Sequence, residues 1–269
     1  MQTPLDQADR ACNGYGQASM LIQPQGVIHK PGEPFFLNPA LLALNVFETG
    51  IAPDVLAELE ALAPETRAME ELGGRYVLSS GVKLSNDRPR HWRSDICWLS
   101  HADEESFAWF DGLYARLGLA ELVAPFVPHD REVRLYAGFF VTRSRCDALD
   151  MHYDWTLESN EAFTLMAPLT ANGGDLGMTY DTVMGERRDL AYRRGKGLVF
   201  GPSFLHSTAV GALDERAVFL CLNFGTDRMD NWARIGATTA RQCELLRQPD
   251  GSFIRQEEWR RLYGRTGAY

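Results

Sequence analysis

The spacing of apolar residues changes along the chain and predicts helices first and strands later. From Pro53 to Leu62, Val55, Leu56, Leu59 and Leu62 recur at helical intervals behind a proline suited to a first turn. A second helix is predicted from about Glu104 to Leu119, where Phe107, Phe110, Leu113, Tyr114 and Leu117 form one apolar face that is expected to pack on a sheet. Beyond Asp130 short runs rich in branched and aromatic residues take over: VRLYAGFFVT (133–142), FTLMAPL (163–169), DLGMTYD (175–181), GLVFG (197–201) and RAVFLCLNF (216–224). Clusters of Gly, Asn, Asp and Pro separate them, so this half predicts successive strands of a sandwich or barrel. Residues 1–40 read as loop or short strand, and Gln256 to Tyr263 as a closing helix. The change near Pro125 to Pro128 divides the chain into a mixed helical and loop region (1–129), a β core (130–226) and a C-terminal extension carrying a helix (227–269).

Composition narrows the functional classes. The 269 residues are 45% hydrophobic and 23% charged, enough apolar material for a real core and unlike a disordered chain. The formal charge of −9 is spread along the sequence, which offers nucleic acid or an anionic membrane no basic footprint. The longest apolar runs, such as Leu135 to Val141, fall far below the roughly 20 residues of a membrane span. The N-terminus lacks a basic-then-apolar signal pattern, so a soluble, cytoplasmic protein is expected. Five scattered cysteines without a C-x-x-C read as small buried thiols in a reducing compartment rather than a disulfide framework.

The chemistry concentrates in two segments, DMHYDW and GPSFLHSTAVG. On a strand, residues two apart project from one face, so His152 and Asp154 point together while Tyr153 faces away. If a second strand end brings in His206, two imidazoles and one carboxylate form a facial set that leaves coordination positions open, as non-haem Fe(II) oxygenases require. The context agrees with this: Gly173 and Gly174 precede a strand, a Gly-Pro turn lies just before His206, and Arg216 follows ten residues later at the head of an apolar run. A guanidinium there would suit a buried carboxylate. His29, His91, His101 and His129 have no partner at ligand spacing, and nucleophile elbows and phosphate loops are missing.

The order His152-x-Asp154, Gly173-Gly174-x-Leu176, GLVFGPSFLH206 and Arg216 resembles the double-stranded β-helix, or jelly-roll, core of Fe(II)/2-oxoglutarate-dependent oxygenases, particularly the prolyl-hydroxylase-like branch. The likeness covers roughly residues 130–226. It implies a mainly β fold with flanking helices, with His152, Asp154 and His206 as ligands of Fe(II). It also implies Arg216 on the distal carboxylate of 2-oxoglutarate, Thr164 as a secondary hydrogen-bond donor to that co-substrate, and dioxygen as the other co-substrate. The carboxylate at position 154 favours hydroxylation over halogenation, since halogenating members lack it.

A small polar metabolite such as a free or modified amino acid is the expected substrate, with succinate and CO2 as co-products. Arg143, Arg145, Tyr136, Trp155, Arg90, Arg93 and Trp98 are the candidates to receive it. Peptidyl or protein hydroxylation and a non-catalytic β-barrel metal-binding module stay open. So does a zinc hydrolase built on the same ligands. A cupin would use a His-x-His pattern that the chain lacks. The oligomeric state has no signature in the sequence.

Overall fold

The computed structural model describes residues 38–69, 73–86 and 95–264. The elements begin with α1 (Pro39–Ala43), β1 (Phe47–Gly50) and α2 (Pro53–Arg67), followed by the short strands β2 (Gly74–Val77), β3 (Lys83–Asn86) and β4 (Cys97–His101). Helix α3 (Glu104–Arg116) starts where Asp103 accepts a hydrogen bond from the Ser106 amide at 2.9 Å, and it carries acidic residues in its first turn. It stops before the predicted end because Gly118 adopts a left-handed φ of 63°, and α4 (Leu119–Val123) resumes beyond it.

The β-rich half supplies β5 (Arg134–Cys146), β6 (Ala162–Pro168), β7 (Met178–Asp181), β8 (Arg187–Leu190), β9 (Lys196–Phe200), β10 (His206–Thr208) and β11 (Gly211–Gly225). The chain closes with α5 (Trp232–Gln242), β12 (Leu245–Arg247), β13 (Phe253–Arg255) and α6 (Gln256–Tyr263). The predicted helix at the C-terminus falls where α6 lies. The strand expected at 175–181 is reduced to its last four residues, because a short 3-10 turn over Ala171–Gly174 precedes it.

Two antiparallel sheets face one another. The larger runs in the order β1-β9-β6-β11-β5-β4-β3-β2 and the smaller β10-β7-β8. From β5 onward successive strands alternate between them: β5 in the large sheet, an isolated bridge at His152 beside β10, β6 in the large sheet, β7 and β8 in the small one, then β9, β10 and β11 in turn. This winding is a double-stranded β-helix. The N-terminal region contributes helices and also four strands that extend the same large sheet, β1 through β9 and β4 through β5. Those strands are four or five residues long, too short for an alternation that can be read from sequence.

Side-chain parity sorts the core into layers. On β11, Val218, Leu220, Leu222 and Phe224 pack with α2, α3 and α4 on the outer face, whereas Ala217, Phe219 and Cys221 face the interior between the sheets. The same split holds on β6, with Phe163, Leu165 and Ala167 outward and Met166 inward. A third cluster, including Tyr136, Trp155, Trp232, Ile235 and Trp259, seats the C-terminal helices against the end of the barrel. Cys97, Cys146, Cys221 and Cys243 are buried free thiols. Among the described residues no helix is long and apolar enough to cross a membrane.

Candidate metal centre

His152 and His206 are held opposite one another by the backbone. Each amide donates to the other's carbonyl, at 2.8 Å from His152 and 3.0 Å from His206, so the two residues form one antiparallel pair at the edge of the small sheet. Their rings then sit side by side with centroids 4.8 Å apart. Asp154 follows two residues after His152 and turns the same way, and its Oδ1 lies 3.5 Å from His152 Nε2 and 3.9 Å from His206 Nε2. One potential ligand atom from each residue lies within 4.8 Å of the other two.

Both imidazoles are oriented with Nε2 toward the cluster. His152 Nδ1 donates to the Asp150 carbonyl at 2.6 Å and His206 Nδ1 to the Phe204 carbonyl at 3.0 Å. A carbonyl only accepts, so Nδ1 carries a proton on each ring and Nε2 is the nitrogen turned toward the cluster. Burial depresses the His206 pKa to about 4, partly offset by the Asp154 charge, so the ring is neutral at physiological pH. On His152 burial also opposes the charge, but the hydrogen bond and attraction of Asp154 outweigh it and raise the pKa to about 9. Burial raises the Asp154 carboxyl, and the hydrogen bond from His152 with the nearby imidazoles reverses this and leaves it lowered. Two neutral-capable imidazoles and one carboxylate are the donor set of a facial non-haem Fe(II) site. Ligand bonds of about 2.0–2.2 Å require these atoms to close by only an ångström or two, so the residues present fit the ion.

The cluster opens into a cavity of about 320 Å³ between the sheets. Its walls are largely apolar, including Ile96, Trp98, Phe139, Met166, Met178 and Phe200, and Arg241 and Gln242 of α5 reach it from the C-terminal side. Arg143 also lines it. That guanidinium is only 3% exposed. It donates to Thr208 Oγ1 and, at 3.5 Å, to the Leu176 carbonyl, and it lies 4.7 Å from the Phe219 ring centroid. Its Nε has no hydrogen-bond partner, and no ion pair to Arg143 occurs among the described residues.

Arg216 is not brought to this site. It has the parity of Val218 and Leu220, so it leaves β11 on the outer face and does not line the cavity. There it is 8% exposed and ion-paired to Asp95 at 3.1 Å, with Nη1 donating to Thr142 Oγ1 at 3.0 Å. Asp95 in turn accepts from the amides of Ser144 and Arg145 and from the Ser144 hydroxyl, so the pair fastens the approach to β4 onto β5 and β11. The cation that the cavity does hold is Arg143, which lies on the same inward row of β5 as Phe139 and Val141.

Thr164 does line the cavity, but its hydroxyl is engaged by the protein: it donates to Asp154 Oδ2 at 3.2 Å and accepts from Trp155 Nε1 at 3.2 Å. Of the other candidates Trp98 faces the cavity, whereas Tyr136 and Trp155 are core residues and Arg145 is ion-paired to Asp147 on the surface. Arg90 and Arg93 lie outside the described residues. Sequence inspection missed α5 as a wall of the site. Its Gly and Thr content weakens the helical pattern, and only its packing on Trp155 and Tyr136 reveals its position.

No family model matches the chain and no curated protein matches it. Among solved structures it is similar to the non-haem α-ketoglutarate-dependent epimerase SnoN from nogalamycin biosynthesis, at 14% identity over 68% of this chain and 78% of that one, with a TM-score of 0.47. HygX from Streptomyces hygroscopicus, solved with nickel, 2-oxoglutarate and hygromycin B bound, aligns at 13% identity over 71% and 88% of the two chains, with a TM-score of 0.46. A Pseudomonas putida prolyl-4-hydroxylase aligns at 13% identity over 69% and 95%, with a TM-score of 0.43.

Proposed function

We propose that the protein is an Fe(II)- and 2-oxoglutarate-dependent dioxygenase that oxidises, by hydroxylation, a small polar metabolite such as a free or modified amino acid. The observation that carries this reading is the convergence of His152 Nε2, Asp154 Oδ1 and His206 Nε2 at a cavity that also holds a buried guanidinium without an acidic partner among the described residues. A buried cation calls for an anion, and a dicarboxylate held by the metal at one end would supply one at the other.

His152, Asp154 and His206 would hold Fe(II), and Arg143 with Thr208 would bind the distal carboxylate of 2-oxoglutarate. When bound, the ferrous ion and keto acid together supply the activation of dioxygen, with succinate and CO2 formed as the substrate gains a hydroxyl. The chain's own part is geometric. The Asp150 and Phe204 carbonyls fix the orientation of the two imidazoles, and Trp98, Phe139, Met166 and Phe200 give the reacting centre apolar walls. The polar side of the mouth, with Asp150, Tyr153 and Arg241, is where a zwitterionic or acidic substrate would be received.

The test is anaerobic addition of Fe(II) and 2-oxoglutarate, followed by a screen of amino acids and related acids for substrate-stimulated succinate release. A weak visible charge-transfer band and succinate coupled to one acid are expected. Metal binding with neither band nor succinate would leave a zinc hydrolase or a binding module instead.

A further inference from the structure

The two oxygens of Asp154 have different surroundings. Oδ1 faces both imidazole nitrogens, whereas Oδ2 receives the hydroxyl proton of Thr164 at 3.2 Å. That hydroxyl is itself surrounded: Trp155 Nε1 donates to it at 3.2 Å, and the side-chain amide of Asn223 lies 3.3 Å away. Asn223 is fully buried and its amide meets that of Gln242, on α5, at 2.6 Å. A hydroxyl has one proton, and a carboxylate attracts it more strongly than a neutral amide oxygen does. A half-turn of the Asn223 and Gln242 amides, which exchanges oxygen and nitrogen, makes every contact complementary. Gln242 then donates to Asn223, Asn223 and Trp155 donate to Thr164, and Thr164 donates to Asp154. All donors in this chain point toward the carboxylate, so each bond polarises the next.

Helix α5 reaches Asp154 a second time. Thr238, one helical turn before Gln242 and on the same face, donates to the Asp154 main-chain carbonyl. Helix α5 therefore holds Asp154 by its backbone directly and by its side chain through Asn223 and Thr164.

We propose that Thr164 is a positioning residue that occupies Asp154 Oδ2 so that Oδ1 alone is presented to the metal, and that Asn223 and Gln242 tie this hold to α5. This rests on the metal-centre reading above. It gives Thr164 a role toward the ligand carboxylate rather than toward the co-substrate. It also makes the C-terminal extension part of the metal centre.

Co(II) titration of the metal-free protein, followed by calorimetry and by the visible spectrum of the bound ion, tests this without turnover. Thr164→Val is expected to weaken Co(II) binding by about tenfold, as loss of a hydrogen bond to a ligand typically does, and to shift the visible bands as the carboxylate becomes free to turn. Thr164→Ser, which keeps the hydroxyl, restores both. Gln242→Met, at the half-buried end of the chain of bonds, shifts the spectrum in the same direction by less, and it decides the matter if the Val variant fails to fold. Wild-type affinity and spectrum in Thr164→Val, a Ser variant no better than Val, or an unaltered spectrum in Gln242→Met in that case would overturn the proposal. A wild-type protein that binds no Co(II) at these residues would overturn the metal centre as well, and so separates the two failures.

Discussion

Arg143 on β5 lies directly across from Ala217 on β11, one residue beyond Arg216, and that single step puts the two guanidiniums on opposite faces of the large sheet. Arg143 enters the cavity beside Thr208, and Arg216 goes outward to Asp95. The two substitutions should therefore separate cleanly. Arg143→Met is expected to raise the 2-oxoglutarate requirement by one to two orders of magnitude, roughly the effect of losing a hydrogen bond to a charged group. Steady-state succinate formation against 2-oxoglutarate concentration measures it, and an unchanged KM would remove Arg143 from the co-substrate site.

Arg216→Ala should act on stability instead. It leaves the partly buried Asp95, whose side chain is 14% exposed, without its cation, at a cost somewhat below the roughly 3–5 kcal/mol of a fully buried pair. Urea unfolding is expected to show this loss while the KM for 2-oxoglutarate in the folded fraction stays at its wild-type value. The reverse pattern would return the carboxylate anchor to position 216.

Replacing any one of His152, Asp154 or His206 by Ala removes a third of the donor set. Each variant is expected to lose substrate-coupled succinate formation and to bind Co(II) at least tenfold more weakly. Since His152 is half-exposed, its variant should fold as the wild type does, and normal turnover in it would exclude it from the centre.

His101 gives a pH dependence remote from the metal. It is fully buried, its Nδ1 donates to the Gly138 carbonyl at 2.9 Å, and burial lowers its pKa to about 4. The unfolded chain takes up this proton near pH 6.5 and the folded one does not, so stability contributed by the neutral ring is full above pH 6.5 and falls as the pH drops toward 4. His101→Phe, which keeps the ring contacts with Phe107 and Phe110, should make the loss of unfolding free energy between pH 7 and pH 5 smaller by about 2 kcal/mol. Equal losses in both proteins would show that His101 does not titrate differently on unfolding.

Gly225 closes β11 against β6, opposite Ala162. A Cβ there would stand 2.0 Å from the Glu161 carbonyl oxygen and 2.8 Å from Ala162 Cα, which are backbone atoms that cannot turn aside. Gly225→Ala is expected to cost about 1–3 kcal/mol, read as a lower midpoint in thermal or urea unfolding. A wild-type midpoint would mean that the two strands can part at this end without penalty.

Local chemistry by itself determined much of this protein. A two-residue spacing lets His152 and Asp154 share one face where the chain runs extended, the apolar runs after Asp130 define strands, and helical spacing defines α2, α3 and α6. The pairing of His152 with His206, the four N-terminal strands of the large sheet and the seat of α5 over the site depend on contacts between residues far apart in the chain. The choice between Arg143 and Arg216 depends on the same thing. Parity along a strand says which residues share a face, but only the register of β11 on β5, with its irregularity between Ala212 and Ala217, decides which face looks into the cavity. That register is set by packing on both sides of the sheet, and no local run of residues carries it.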